Sequence, residues 1–204
     1  MGGEETIFGT KEVTLRSGKR ITIRPMIAED EQALLEFFRE LPDKLLVFLR
    51  HNVRDPAVIR EWVEHLSYDR VLPLLALDGS KIVADVTLHR ISHGWKRHIG
   101  QVRIVVSPDY QGQGLATAML NEVVELAAEL GLEKLWAEVP LGSIAAVRAF
   151  RNAGFGCKAV IEGLVKDAED NNMDILIMVC DIERYFDRKW LSKDVNLHHQ
   201  IIQE

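Results

Sequence analysis

The hydrophobic pattern divides the chain into short alternating runs and longer runs at helical spacing. Lys11–Leu15 and Arg20–Arg24 alternate across Ser17-Gly18, which predicts a hairpin of two short strands, and Pro25 stops the second. Between Asp30 and Leu41 the apolar residues Leu34, Leu35, Phe37, Phe38 and Leu41 recur at helical spacing, and Pro42 ends that helix. Leu45–Leu49 continues the apolar face. Asp55-Pro56 supplies a cap and an N1 proline for a helix with Val58, Ile59, Trp62, Val63 and Leu66 on its core side.

Two strands follow, Val71–Leu77 and Lys81–Ile91, joined at Asp78-Gly79. In the second, Ile82, Ala84, Val86 and Leu88 share one face, and Val83, Asp85, Thr87 and His89 the other. A strand over His98–Ser107 leads into a glycine turn and a helical pattern of Leu115, Met119, Val123, Leu126 and Leu130 that ends near Gly131. Lys134–Val139 reads as a strand, and Ser143 as the N-cap of a helix over Ile144–Asn152 that Gly154 ends. Phe155–Ile161 and Met173–Asp181 are the last two strands, linked by the polar turn Lys166–Asn172. From Glu183 to Glu204 the chain is charged, with Tyr185, Phe186, Trp190 and Leu191 clustered, and reads as a helix packed on the domain or on a partner chain.

This order predicts an α/β fold: a central mixed, largely antiparallel sheet of about seven strands with helices on both faces. One domain over residues 1–182 is expected, with a frayed start at 1–10 and the tail at 183–204. Met1–Thr6 fits a myristoylation pattern, but the segment is read as a disordered acidic start.

Composition narrows the classes. A hydrophobic content of 47% and a charged content of 27% are those of an ordinary soluble protein. The net charge of −6 argues against nucleic-acid binding by bulk electrostatics. No apolar stretch approaches the ~20 residues of a membrane span, and no signal peptide opens the chain. Cys157 and Cys180 both sit in apolar runs and are expected to be reduced core thiols in a cytoplasmic protein. No Cys/His spacing resembles a metal site.

The richest stretch is Val105-Val106-Ser107-Pro108-Asp109-Tyr110-Gln111-Gly112-Gln113-Gly114-Leu115-Ala116-Thr117. Strand, glycine turn and helix in that order build an anion site, because the first helical N–H groups lack partners and the helix dipole adds positive charge. Gly112 and Gly114 let the backbone curl and an oxygen approach closely. A P-loop would need Lys-Ser/Thr where Leu115-Ala116 stand, and a dinucleotide fingerprint would need a third glycine where Thr117 stands. The run matches Gln/Arg-x-x-Gly-x-Gly/Ala, and with it the chain resembles the GNAT superfamily of acyl-CoA N-acyltransferases. The resemblance spans roughly residues 20 to 181, since the order of elements is also that of the GNAT fold.

Ser143-Ile144-Ala145-Ala146-Val147-Arg148-Ala149-Phe150 through Gly154-Phe155 resembles the family's Asn-x-x-Ala-x-x-x-Tyr…Gly-Phe segment, with two departures. Ser143 replaces Asn, and its hydroxyl can still bond the pantetheine arm. Phe150 replaces the Tyr that many members use as general acid. The loss is bearable: a thiol with pKa near 8.5 gains only ~2 kcal/mol from protonation at pH 7, whereas deprotonating an amine of pKa near 10.4 costs ~4.6 kcal/mol. The base matters more than the acid.

Glu138 matches the position where the bacterial ribosomal-protein N-terminal acetyltransferases of this superfamily carry a catalytic Glu, and it also reads as a solvated strand carboxylate. His98 opens the central strand with a pKa suited to proton transfer, and it also reads as a surface histidine after Lys96-Arg97. Gln101 stands where a branch of protein-lysine acetyltransferases places its Glu, and an amide is no base. Asp85 and His89 lie on one face of the adjacent strand and could reach the acceptor through water.

The resemblance implies an acetyl-CoA-dependent N-acetyltransferase working by direct transfer in a ternary complex. Ile104, Val105 and Val106 would offer backbone groups to the pantetheine amides. The amides of Gln111, Gly112, Gln113, Gly114, Leu115, Ala116 and Thr117 would hold the pyrophosphate, and the Val106 N–H would stabilise the oxyanion. Ser143 and Phe150 complete the cofactor set. The expected partners are acetyl-CoA and an amine acceptor, with no metal, nucleic acid or membrane, and with a homodimer compatible. The rival reading is a non-catalytic acyl-CoA-binding sensor or regulatory module.

Overall fold

The computed structural model describes residues 9–49 and 51–190. Its strands are β1 (Lys11–Thr14), β2 (Arg20–Pro25), β3 (Val71–Asp78), β4 (Lys81–Arg90), β5 (Ile99–Val106), β6 (Lys134–Pro140), β7 (Gly156–Lys166) and β8 (Asn172–Asp181). The helices are α1 (Glu31–Glu40), α2 (Asp43–Leu46), α3 (Pro56–Glu64), α4 (Leu115–Glu129), α5 (Ile144–Asn152) and a final helix over 182–190, here α6.

All eight strands join one sheet in the order β1-β2-β3-β4-β5-β6-β8-β7. The expectation was about seven; the four-residue β1 pairs fully with β2 and counts as a strand. Every pairing is antiparallel except β5 with β6. The β3–β4 turn sits one residue later than its sequence signal, because Asp78 still pairs with Lys81 and leaves Gly79-Ser80 as the loop. β7 runs to Lys166, past the expected Ile161, since its pairing with β8 continues through two register shifts.

Two cores flank the sheet. On one face α1 and α3 cover Leu75, Leu77, Ile82 and Val105, with Phe38 and Ile59 fully buried. On the other, α4 and α5 pack on Ala84, Val86, Leu88, Val102 and Leu135. Asp55 caps α3 by accepting the Ala57 N–H at 2.9 Å, as the sequence predicts. Asp30 is the one buried charged residue of the described chain, and Arg24 grips it with two bonds of 2.7 and 2.6 Å.

The tail is helical through residue 190 and lies on α4: the Tyr185 hydroxyl donates to Asn121 at 3.3 Å, and Lys189 pairs with Glu125. Leu191 and the rest of the tail lie outside the described residues, as does Met1–Thr6. The two cysteines part company. Cys180 is buried, and burial, with the Asp181 charge beside it, pushes its thiol up to about 11. Cys157, expected in the core, is exposed, because β7 is an edge strand with nearly every side chain open to solvent. Among the described residues no helix is long and apolar enough to cross a membrane.

Candidate active site

The sheet opens where its only parallel pair diverges. β5 and β6 are in register at just three pairs, the last being Gln101 with Trp136, although β5 continues to Val106 and β6 to Pro140. Gly100 sits at the closed end of this splay. A Cβ there would stand 2.5 Å from the Leu88 side chain and 2.8 Å from that of Leu135, so only glycine lets the strands draw together before parting.

The open part of β5 presents main chain to the gap. The Ser107 N–H donates to the Val83 carbonyl at 2.9 Å, toward β4. Alternation along an extended strand turns the N–H and C=O of Val102, Ile104 and Val106 the other way, into the splay. The Val106 carbonyl is taken by Gln111 Nε2 at 2.9 Å, which leaves the Val106 N–H facing the gap. Val105, between them, points its side chain into the core beneath α1 and α3.

At the end of β5 the chain makes a 3-10 turn, Pro108–Tyr110, and then the glycine turn. Gly112 has φ +71° and Gly114 φ +95°, both in the left-handed region that other residues avoid, and a Cβ at either would meet nothing within 4 Å. The space above the turn is therefore open. Gly114 is the N-cap of α4, with no side-chain cap and no acidic residue in the first turn, so the N–H groups of Leu115, Ala116 and Thr117 keep no intrahelical acceptor. The two glutamines brace the turn from inside. Gln113 donates to the Asp109 carbonyl at 2.7 Å, and its amide oxygen accepts from the Ser17 hydroxyl at 2.5 Å. The Gln111 N–H is also spent, on the Pro108 carbonyl at 3.2 Å, which leaves the backbone N–H of Gln113 for an anion. The buried Leu115 side chain pins the helix start to the core.

On the far side of the sheet lies a cavity of about 770 Å³ between α1, α3 and the strands, and it reaches the splay at Ile104 and Trp136. Asp85 and Thr87 of β4 form part of its floor, and Trp62 of α3 part of its wall. Asp85 pairs across the strands with Val105 and is half-buried. Burial pushes its carboxyl up to about 7, and the Thr87 hydroxyl at 3.2 Å opposes the shift only in part. A carboxyl on the cavity floor can thus exchange protons near neutral pH.

The other expected residues divide. Glu138 is exposed on β6 and accepts from Gln101 Nε2 at 3.2 Å, bridging the mouth of the splay. His98 sits in the turn before β5, where its carbonyl accepts the N–H groups of Glu133 and Lys134. It is not among the residues lining the cavity, and Ile104 is six residues, about 20 Å, further along the strand. Ser143 stands at the start of α5 but makes no side-chain cap bond, so its hydroxyl is not spent on the helix. Phe150 is buried, its ring edge-on to Phe155 at 5.0 Å, and serves as core packing.

The fold has counterparts among solved structures. The GNAT domain of S. lividans PAT has 23% identity and a TM-score of 0.69, with 84% of this chain and 96% of that one covered. Mycobacterium smegmatis RimJ, solved in complex with CoA-disulfide, has 16% identity and a TM-score of 0.70, with 90% and 91% covered. In sequence, the chain is 34% identical over 79 residues to the Escherichia coli K12 [Ribosomal protein bS18]-alanine N-acetyltransferase, covering 39% of this chain and 53% of that protein. An uncharacterised N-acetyltransferase of Methanocaldococcus jannaschii is 32% identical over 79 residues, 37% of this chain and 34% of that protein. The chain thus spans about half the length, or less, of these curated relatives. Residues 32–155 match the model of the Acetyltransferase (GNAT) family, and with it the strand, glycine turn, α4 and α5 described above: the chain belongs to that family.

Proposed function

We propose that the chain transfers an acetyl group from acetyl-CoA to a primary amine by direct attack within a ternary complex. One observation carries this reading: a slot of outward-facing main chain on β5 runs into an anion cradle at the start of α4, and Ile104 of that strand also lines an acid-floored cavity. Acetyl-CoA, as co-substrate, supplies the activated thioester. The N–H groups of residues 112–117 suit its pyrophosphate; that of Gln111, expected among them, is held by the Pro108 carbonyl. The even-numbered groups of β5 suit its pantetheine amides, and the uncommitted Ser143 hydroxyl at the start of α5 is a further candidate donor to them. The Val106 or Ile104 N–H suits the carbonyl oxygen, where negative charge develops.

The amine enters from the cavity. Its nitrogen forms the new bond to the carbonyl carbon, its proton passes to a carboxylate, and the C–S bond breaks. Asp85 is the base this geometry favours, because a carboxyl near pH 7 exchanges protons at neutral pH. Taking a proton from an amine of pKa near 10.4 then costs ~4.6 kcal/mol, within reach of an enzyme. Glu138 is the second reading, favoured by its place at the splay beside Gln101. The departing thiolate takes its proton from water, since Phe150 has none to give. The cytoplasm is the compartment this reading assigns.

The test is thiol release from acetyl-CoA with Asp85→Asn and Glu138→Gln side by side. The true base is the one whose loss removes the rise of kcat/KM near neutral pH. If neither variant changes the profile, direct proton removal by these carboxylates is wrong.

A further inference from the structure

Gly112 and Gly114 give the anion cradle a loose backbone, and a loop that its ligand must order loses affinity to the ordering. Between them stands Gln113, and other parts of the chain hold it on every side. Its Nε2 donates to the Asp109 carbonyl at 2.7 Å. Its amide oxygen accepts from the Ser17 hydroxyl at 2.5 Å, and its main-chain carbonyl accepts from the Arg16 N–H at 3.2 Å. The last two donors belong to the turn between β1 and β2, and Ser17 lies 96 residues from Gln113 in the chain.

That turn is firm enough to act as a brace. The Leu15 N–H donates to the Lys19 carbonyl at 2.8 Å and the Gly18 N–H to the Leu15 carbonyl at 2.9 Å, while the Leu15 side chain is buried in the core. Lys19 makes a second hold. Its ammonium bonds Asp78 at 2.9 Å and lies 4.8 Å from the centre of the Tyr110 ring, and the Tyr110 hydroxyl donates to the same Asp78 at 2.7 Å. Tyr110 ends the 3-10 turn that leads into the glycines, so the hairpin grips the cradle at its entrance and at its middle.

The grip sets a direction. Across a trans peptide the C=O and the following N–H point opposite ways. With the Gln113 carbonyl fixed against Arg16, the Gly114 N–H points away from the hairpin, and no backbone acceptor among the described residues takes it. It adds to the N–H groups of Leu115, Ala116 and Thr117 that the start of α4 leaves without an intrahelical acceptor.

We propose that Ser17 is a positioning residue of the cofactor site: through Gln113 it sets the N–H groups of the cradle for the pyrophosphate before the cofactor arrives. The inference rests on the assignment of the cradle to the CoA pyrophosphate in the reading above. Ser17 acts through Gln113 and not on the thioester.

The test is CoA affinity by calorimetry on the full chain, with thermal unfolding of the same samples. Ser17→Ala should raise the Kd for CoA about threefold to tenfold, the worth of one hydrogen bond, and Ser17→Thr, which keeps the hydroxyl, should restore it. Gln113→Ala should weaken CoA by at least as much. Adding Ser17→Ala to it should then change the Kd little further, since the two residues act through one bond. In turnover the effect should fall on the KM for acetyl-CoA rather than on kcat. An unchanged Kd in Ser17→Ala, whether or not the Tm falls, would overturn the inference, as would additive losses in the double variant. The hairpin would then only stabilise the fold. No turnover with any amine would overturn the transferase reading alone, and a parent chain that binds no CoA would overturn both.

Discussion

Asp85→Asn should produce a protein that is more stable and far less active. In the folded chain burial raises the Asp85 carboxyl from an ordinary 3.8 to about 7. Folding therefore disfavours its ionised form, and the sign follows. Below pH 4 the side chain is protonated in both states and costs nothing. Between pH 4 and 7 the unfolded chain ionises first, so stability falls, and above pH 7 the deficit is constant. A shift of about three units sets a ceiling of ~4 kcal/mol at neutral pH. Water entering the cavity screens the group, and about 2 kcal/mol is the working figure. Asn keeps the shape and the Thr87 contact without the charge. For a chain of this size the gain corresponds to a rise in Tm of roughly 4–8 °C at pH 8. The same change should lower kcat/KM at pH 7 by about 10²–10⁴-fold if Asp85 is the base. The assay is thermal unfolding of both proteins at pH 4, 6 and 8, alongside thiol release. A Tm difference that does not grow between pH 4 and 8 would show that the carboxyl is not displaced, and the argument for it as base would fall with it.

Three further outcomes are expected. Gly114→Asp sets a carboxylate at the N-cap of α4 and forces a residue into φ +95°; acetyl-CoA affinity by calorimetry should drop at least about tenfold with the far-UV spectrum unchanged. Phe150→Tyr should raise kcat by no more than about thirtyfold, because at most ~2 kcal/mol is available from protonating the thiolate. It should also cost about 1–3 kcal/mol of stability in denaturant, from an unpartnered hydroxyl in the core beside Phe155. Arg24→Met leaves the Asp30 carboxylate buried without its partner and should destabilise the fold by about 3–5 kcal/mol. Burial pushes Asp30 up, but the Arg24 guanidinium and the Ile27 N–H pull it below its ordinary value overall. Its stabilising share is thus present at neutral pH and lost as pH falls through that lowered value, so the gap between Arg24→Met and the parent should narrow in acid.

What could be read from the chain alone is what is local. The turn at Gly112 and Gly114, the start of α4 at Leu115 and the Asp55 cap each depend on a few adjacent residues, and each stands where the spacing puts it. The splay was not legible, because nothing in Gly100-Gln101-Val102 says that the ladder to β6 stops at Trp136. Asp85 was visible as a polar residue on one face of a strand, but its significance needs α1 and α3 across that face, a long-range fact. Cys157 misled for a related reason. An apolar run reads as buried, and only the strand order places β7 at an open edge. Gln111 and Gln113 belong to the predicted turn, yet their side chains hold the protein to itself rather than facing the opening.

The central claim, transfer rather than mere binding, stands on one measurement: thiol release from acetyl-CoA by the wild-type chain across a panel of primary amines, with acetyl-CoA binding followed by calorimetry on the same sample. The account predicts binding together with thiol release that depends on the amine and saturates with it. Binding without amine-dependent release at any pH from 6 to 9 would contradict it and leave an acyl-CoA sensor in its place.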